Sequence, residues 1–119
     1  MRYACLVYID PMTAFDGSAA STGVLEEAEA DRQHLMKRGI TAEALTLPSD
    51  AVTVRVRNGK MRKTDGPFME SKEVLAGFVL IEAENIDAAV AIAATNPMAK
   101  LGAVEVRPLV DFSRPRPIL

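Results

Sequence analysis

The chain is poor in the residues that build the commonest metal, redox and base-stacking sites. Among its 119 residues it has no Trp, two Tyr, four Phe, one Cys and one His. A lone Cys cannot form an intramolecular disulfide, and one Cys with one His does not supply the ligands of an ordinary zinc site. So few aromatic residues also argue against a surface on which nucleic-acid bases stack. We therefore expect no metal site and no base-stacking surface, with hard-cation binding by carboxylates left open as an unspecific alternative.

The chain also lacks an excess of positive charge. It has 14 basic and 16 acidic residues and a net charge of −2. Nucleic-acid binding depends mainly on neutralising phosphates with a broad basic field, which this composition does not offer. The glycines do not form a phosphate loop either, because Gly17 and Gly23 lack the G-x-G-x-x-G spacing. We expect no nucleic-acid partner and no cofactor.

Long apolar runs are missing as well. No apolar stretch approaches the roughly 20 residues needed to span a bilayer. The N-terminus leads directly into a strand-like segment, without the basic region and small-residue cleavage site of a signal peptide. A chain of 119 residues with 49% apolar residues suits one domain with one hydrophobic core. We expect a single domain over residues 1–119 in a soluble cytoplasmic protein without membrane contact.

Apolar alternation, helical periodicity and turn residues predict strands interrupted by two helices. Asn58-Gly59 is a strong hairpin signal. The hairpin around it is amphipathic and should lie near a sheet edge. Proline, glycine and aspartate mark residues 10–20 as a loop. The predicted strands are 2–9, 41–47, 52–57, 60–63, 74–83 and 103–110, the helices are 22–38 and 86–96, and the tail over 113–119 is extended.

The longer predicted helix has a clear inner side. Ser21 or Thr22 can cap its start, and Gly39 can end it in the left-handed conformation. On a helical wheel, where successive residues are 100° apart, His34 lies opposite Leu25 and so points away from the core. The residues of this helix predicted to face the core are Leu25, Ala28, Leu35 and Met36.

Cys5 lies in the apolar segment YACLVYI. We interpret it as a buried structural thiol.

The element order is an elaborated β-α-β-β-α-β pattern. It predicts an α+β, ferredoxin-like fold with an extra hairpin, in which the first and third main strands are central. Those strands are 2–9 and 74–83, the two segments that are apolar on both faces, so element order and burial agree. Both helices pack on one face of such a sheet. Apolar side chains remain on the other face: Leu6, Tyr8, Phe78 and Leu80.

That open face predicts a partner. An exposed patch of several large apolar side chains is unusual on a monomer. A second copy, packed sheet to sheet about a two-fold axis, is the simplest cover. Burying four such side chains contributes on the order of 6–12 kcal/mol, at ~1.5–3 kcal/mol each, before the cost of association. We therefore expect a homodimer.

The stretch TDGPFMESKE, residues 64–73, differs from ordinary scaffold. Gly66 permits a positive φ and Pro67 restricts the path that follows, so the loop can hold one shape. Phe68 is predicted to anchor the loop in the core. Charged residues at the entry to a central strand offer a general base, a cation-binding edge or a site for an anionic ligand. The charged candidates are Asp65, Glu70, Lys72 and Glu73, with Arg107, Arg55 or Arg57 as counter-charges.

Three interpretations of this loop remain open. Asp-Gly-Pro is a turn with its own mechanism, because the Asp side chain bonds to nearby backbone amides. The loop then serves as a turn and a dimer contact. In the second interpretation it lines a ligand pocket without chemistry. In the third, Asp65 or Glu70 acts as a general base and should be buried with a raised pKa.

The loop resembles the T-D-G-P-F-x-E-x-K-E signature of the YCII-related, DGPF-motif proteins. The resemblance extends to VTVRVRNGK before the loop, to LAGFVLIEAENIDAAVAIAATNP after it and to GAVEVRP near the end. It covers about the whole chain, and residues 52–108 are the most specific part. The resemblance implies a ferredoxin-like dimeric α/β barrel. It also implies a mostly unassigned activity, with some members associated with alternative sigma factors.

One feature of the family is missing from this chain. Enzymatic roles have been suggested for YCII-type relatives from a His near the start of the first helix and an Asp before the Pro that follows the second. Here residues such as Glu26 stand near the helix start, and Asn96 precedes Pro97. The only histidine, His34, is predicted to face outward. An activity that depends on the His–Asp pair is therefore not expected.

The residues and the resemblance together predict a YCII-related domain protein of unassigned activity. We interpret it as a homodimeric small-molecule-binding or regulatory module with a cleft near the DGPF loop. The first alternative is an enzyme in which a carboxylate of that loop is a general base. The second is a partner protein in sigma-factor-linked transcription regulation.

Overall fold

The computed structural model describes residues 1–114. The extended tail predicted over 113–119 therefore lies mostly outside the described residues. Short 3₁₀ turns at Pro48–Asp50 and Pro97–Lys100 join some of the longer elements. In chain order, the elements of the described part are β1 (Arg2–Ile9), α1 (Pro11–Ala14), α2 (Ala19–Lys37), β2 (Ala42–Ala44), β3 (Val52–Arg57), β4 (Lys60–Asp65), β5 (Val74–Glu82), α3 (Ile86–Ala93) and β6 (Gly102–Pro108).

Four strands form an antiparallel sheet in the order β2-β5-β1-β6. β1 pairs with β5 from Arg2 opposite Glu82 to Ile9 opposite Val74. These central strands are the two segments that the sequence marks as apolar on both faces, so the predicted central pair is confirmed. The architecture is mixed α/β with antiparallel sheets, and it is compatible with a ferredoxin-like fold.

The core lies between the sheet and the helices. Ala89 and Ala93 of α3 are buried in it, and alanine lets a helix approach a sheet closely. Cys5 is 2% exposed, which confirms the prediction of a buried thiol. Burial raises the pKa of the Cys5 thiol, because the thiolate loses its hydration. The inward residues of β1 are Tyr3, Cys5, Val7 and Ile9, all buried.

Two glycines lie where neighbouring strands approach most closely. A Cβ at Gly102 would lie 2.0 Å from the carbonyl oxygen of Tyr8 on β1, and a Cβ at Gly77 would lie 2.6 Å from that of Glu43 on β2. Such contacts are too short for a side chain, so each position admits another residue only if a strand moves. These two glycines set the spacing of the edge strands against the central pair.

The segment predicted as a loop before the long helix contains more helix than expected. Asp10 caps α1 by accepting a hydrogen bond from a backbone N–H two residues on, at 3.0 Å. α2 begins at Ala19, and its cap is Ser18 rather than Ser21 or Thr22. Proline at the first position of α1, after a side-chain acceptor, is a helix start that the loop interpretation missed.

Other predicted bounds shift at the ends of elements. β2 is shorter than the predicted strand 41–47, and α3 ends at Ala93 rather than at residue 96. Met36 is 44% exposed and does not face the core as predicted. Its neighbour Leu35 is half-buried, so the inner side of α2 includes Leu35 but not Met36. His34 is exposed, as predicted.

Within residues 1–114 no helix combines the length and the apolar character needed to cross a bilayer.

The predicted hairpin is confirmed, and it forms a sheet of its own. β3 and β4 pair in register from Val52 opposite Asp65 to Arg57 opposite Lys60. Neither strand pairs with the four-stranded sheet. The hairpin is therefore joined to the rest of the protein through its base, where the DGPF loop lies.

Candidate functional site

A cavity of about 260 Å³ lies between α2 and the sheet. Its floor is formed by β1, β2 and β5, and its roof is formed by α2. We call it the helix–sheet pocket. Most of its lining is apolar, which is typical of pockets for small molecules. Its apolar lining residues include Val7, Ile9, Leu25, Leu35, Val74 and Val79.

Small residues make the room for this pocket. Ala28 lies on the inner side of α2, and Ala42 and Gly77 lie on the strands that face it. Leu25 and Leu35 are on the same side of the helix but remain only half-buried, because the chain does not fill the space beneath them. Apolar side chains left half-covered around a concave space favour the entry of a ligand.

An ion-pair network borders the pocket. Arg32 Nε lies 2.9 Å from Glu29 Oε2, and Arg32 Nη1 lies 3.9 Å from Glu43 Oε2. Arg32 also donates to the carbonyl of Ala42 at 3.4 Å. Hydrogen bonds from Arg32 and then from Gln33 lower the pKa of Glu29, and the pair with Glu29 raises the pKa of Arg32. Both groups therefore stay charged at neutral pH and offer polar recognition rather than proton transfer.

The DGPF loop borders a second, more open cleft of about 610 Å³. The loop lines this cleft mainly with apolar residues, and its carboxylates Asp65, Glu70 and Glu73 are not part of the lining. A single wall separates the cleft from the helix–sheet pocket. The residues that line both are Leu45, Thr46, Leu47, Val74 and Leu75. The loop residues that line the cleft are Pro67, Phe68, Met69 and Ser71.

The loop is held at the base of the hairpin. Gly66 has a φ of 100°, and its N–H donates to the carbonyl of Ala51 at 2.7 Å. Thr53 Oγ1 donates to the Gly66 carbonyl at 2.8 Å. The prediction that Phe68 anchors the loop in the core is wrong, because this residue is 71% exposed. The guanidinium carbon of Arg55 lies 5.2 Å from the ring centroid, so Phe68 ties the loop to the hairpin rather than to the core.

The charged residues of the loop do not converge on one point. Asp65 ends β4 and is exposed, as are Glu70 and Glu73. Lys72 Nζ lies 3.8 Å from Asp10 Oδ2, but the lysine side chain is 84% exposed, so this pair adds little stability. The general-base hypothesis requires a buried carboxylate, and neither Asp65 nor Glu70 is buried in the protomer.

Arg107 lies away from the loop. It is opposite Ala4, whereas the loop enters β5 at Val74, which is opposite Ile9. Positions 4 and 9 of β1 are about 17 Å apart at ~3.4 Å per residue. Arg107 is exposed and shares the open face of the sheet with Ala4. It therefore belongs to that face and not to the neighbourhood of the loop.

Sequence reasoning did not find the helix–sheet pocket. It placed Leu25, Ala28 and Leu35 on the inner side of a helix, but the space beneath them depends on the separation of α2 from the sheet. Asn96, the residue before the family's proline, does line this pocket. Its side chain accepts a hydrogen bond from the Met98 N–H at 3.0 Å and so caps a 3₁₀ turn. Within residues 1–114 no group of three or more His, Cys, Asp or Glu is placed to hold a metal ion.

Comparisons with known proteins agree with the resemblance in the sequence. A family model described as YCII-related domain matches residues 1–113. The chain is also 33% identical over 117 residues to the uncharacterized protein R00369 of Rhizobium meliloti (strain 1021), with 94% of each chain covered. Both matches span the helix–sheet pocket and the DGPF loop. The chain therefore belongs to the YCII-related domain family.

Proposed function

We propose that this protein is a homodimeric module that binds a small, mainly apolar molecule in the helix–sheet pocket, beside the cleft of the DGPF loop. The observation that carries the proposal is a cavity of about 260 Å³ under half-covered apolar side chains of α2. Ligand pockets usually measure about 300–1,000 Å³. The pocket therefore suits a compact ligand.

The lining indicates the chemistry of the ligand. Walls made of Val, Ile, Leu and Ala select a carbon-rich body, because burying it releases ordered water from both surfaces. The carboxylate of Glu29 keeps acceptor capacity beyond its bonds to Arg32 and Gln33. A ligand with an apolar body and one N–H or O–H donor at its edge fits both features.

Binding without chemistry is favoured over catalysis. A general base works best when its pKa is near the operating pH, and the hydrogen bond from Arg32 moves the pKa of Glu29 the other way, below its ordinary value. Asp65 and Glu70 of the DGPF loop are exposed, which does not favour the enzyme alternative. The link to transcription regulation stays a prediction.

The homodimer rests on the open face of the sheet. The register places Leu6 opposite Phe78 and Ala4 opposite Leu80, so their side chains share the face that the helices leave uncovered. These residues are half-buried in the protomer. A second copy that packs on this face would remove a continuous apolar patch from water, which supports a dimer.

Indole provides a direct test of ligand binding. It has an apolar body and one N–H donor, and the protein has no Trp, so indole fluorescence can be excited selectively. We expect saturable binding to the wild-type protein. Ala28→Phe should fill the pocket and weaken binding at least tenfold.

The matched control is Ala30→Phe, on the exposed side of the same helix. It should leave indole affinity within about twofold of wild type, and circular dichroism should show that both variants remain folded. Absence of saturable binding in wild type would overturn the proposal. Equal binding by wild type and a folded Ala28→Phe variant would also overturn it.

A further inference from the structure

The hairpin of β3 and β4, residues 52–65, extends from the body of the protein and contacts it only near its base and at the DGPF loop. We call it the arm. In the described part of the chain its strands pair only with each other, and all of its residues are exposed except Thr53. A lone two-stranded hairpin is marginally stable in water. One side of the arm is nevertheless mainly apolar. Val56 lies opposite Met61 on this side, and Val54 and Val52 lie along it opposite Lys63 and Asp65.

That apolar side is uncovered in the protomer. Val52, Val54 and Val56 are 54%, 59% and 58% exposed, and Met61 is 63% exposed. Single exposed apolar residues are common, but a row of four on one side of a projecting ribbon forms a patch. A patch of this kind marks a surface that another molecule covers.

The other side of the arm is strongly basic. Arg55 lies opposite Arg62, and Arg57 lies opposite Lys60. Like charges directly across two strands destabilise a hairpin. Within residues 1–114 none of these four side chains, nor Lys63, forms a salt bridge. The arm thus concentrates positive charge that the protomer does not neutralise.

The rest of the chain has the opposite charge. The arm holds five of the 14 basic residues and one of the 16 acidic residues, so its net charge is +4 and that of the remaining chain is −6. Several exposed acidic side chains of the body are also without salt bridges among the described residues. They are Glu26, Glu82, Glu84, Asp87 and Glu105.

The base of the arm holds it in place for docking. The hydrogen bonds between Gly66, Ala51 and Thr53 close the hairpin, and Arg55 stacks on Phe68 of the DGPF loop. A docking element that is fixed at its base loses less conformational entropy when it binds. The DGPF loop therefore acts as the anchor of the arm.

We propose that the arm docks on the body of a second copy of this chain, with its apolar side against that body. Lys63 lies on the same side, and the long side chains of the other side reach past the edges of the two-stranded ribbon to the partner's acidic residues. The proposal rests on the homodimer of the proposed function and assigns the arm to its interface. Two-fold symmetry lets each protomer give one arm and receive one. A nucleic acid is a poorer match, since its phosphates cover no apolar patch and the body around the arm is acidic.

Hydrogen exchange tests the docking itself. The amides of β3 and β4 should exchange rapidly at low protein concentration, where the hairpin is free. They should become at least tenfold slower at concentrations where the dimer forms, because the docked ribbon opens less often. The amides at the hairpin turn, Asn58 and Gly59, should change less.

Charge reversal tests the role of the basic side. In the double variant Arg57→Glu with Arg62→Glu, each new carboxylate faces a cation across the hairpin, Lys60 or Arg55, so the arm itself should be stabilised. We expect the dissociation constant of the dimer to rise at least tenfold. The matched control, Lys37→Glu with Arg38→Glu at the exposed end of α2, changes the net charge equally and should shift it less than threefold.

The outcomes separate the arm from the rest of the proposed function. Two outcomes overturn the arm proposal and leave the dimer and the pocket standing. In the first, the arm amides of the dimer exchange rapidly. In the second, the charge reversal in the arm raises the dissociation constant no more than the control does. A protein that is monomeric at all concentrations overturns both the arm proposal and the dimer. Indole binding then still tests the pocket independently. A monomer whose arm binds a DNA duplex also overturns the arm proposal.

Discussion

At the scale of single residues, the tightest constraint lies at Gly102, where β6 begins against β1. A methyl group there would lie 2.0 Å from the carbonyl oxygen of Tyr8. Because the obstacle is backbone, it cannot rotate away. Gly102→Ala should lower the free energy of unfolding by about 1–3 kcal/mol, the usual cost of overpacking. Urea denaturation measures this change.

Gly23, inside α2, is the matched control. A Cβ added there meets nothing within 4 Å. Replacement of a helical glycine by alanine usually stabilises a helix by up to ~1 kcal/mol. Gly23→Ala should therefore raise the free energy of unfolding. If both variants change stability in the same direction, the close approach at Gly102 does not control it.

Cys5 gives stability a dependence on pH. Burial raises the pKa of its thiol, so the folded protein keeps this proton to a higher pH than the unfolded chain. The unfolded thiol ionises near its ordinary pKa of about 8.5. The contribution of Cys5 to the free energy of unfolding is complete below that pH and is lost as pH rises through the folded-state pKa.

We therefore expect the stability difference between wild type and Cys5→Ala to shrink as pH rises. Urea denaturation of both proteins, from about pH 7 to about pH 10, spans the ionisation of the unfolded thiol. Tyr and Lys also titrate toward the upper end, but they do so in both proteins and cancel in the difference. A difference that stays constant or grows over this range contradicts the prediction.

At the scale of elements, α3 depends on small residues where it meets the sheet. Ala89 is fully buried, whereas Ala91 on the same helix is exposed. Ala89→Leu should force the helix away from β1 and lower the free energy of unfolding by about 1–3 kcal/mol. Ala91→Leu should change it by less than ~0.5 kcal/mol, as surface substitutions usually do.

Thermal or chemical unfolding of the two alanine variants compares them directly. The same side chain is added to the same helix, so differences in helix propensity cancel. Equal stability of the two variants would show that the contact of α3 with the sheet is loose. In contrast, α2 should tolerate a larger residue at position 28, because a cavity and not packed side chains lies beneath it.

At the scale of the whole molecule, the main expectation is the proposed dimer. Leu6 lies on the open face, opposite Phe78 and Glu105 on the neighbouring strands. Leu6→Lys places a charge in the centre of that face and should weaken the dimer at least tenfold. Val90→Lys is the control, because Val90 is 50% exposed on the helical side of the protein.

Sedimentation equilibrium of the wild type and both variants tests this expectation. The wild type should sediment at about twice 12.8 kDa at micromolar concentration. A folded wild type that sediments at 12.8 kDa would contradict the sheet-to-sheet dimer. A Val90→Lys variant that dissociates as readily as Leu6→Lys would place the interface on the helices instead.

Local patterns in the sequence determined much of the fold. Strand alternation identified β1 and β5 as the central pair, the Asn58-Gly59 turn identified the hairpin, and the apolar setting of Cys5 identified its burial. Each of these features depends on residues within a few positions of one another, where the periodicity of strands and helices is directly visible. The family of the chain was likewise visible in its DGPF loop.

Only the tertiary structure decided where the candidate site lies. The exposure of Phe68, the separation of Arg107 from the loop and the cavity beneath Ala28 each depend on elements that are distant in sequence. The distance between such elements is set by the summed volumes of the side chains packed between them, and no periodic pattern records that sum. The sequence by itself therefore determined the elements and their order, while packing between them determined the pocket and the free arm.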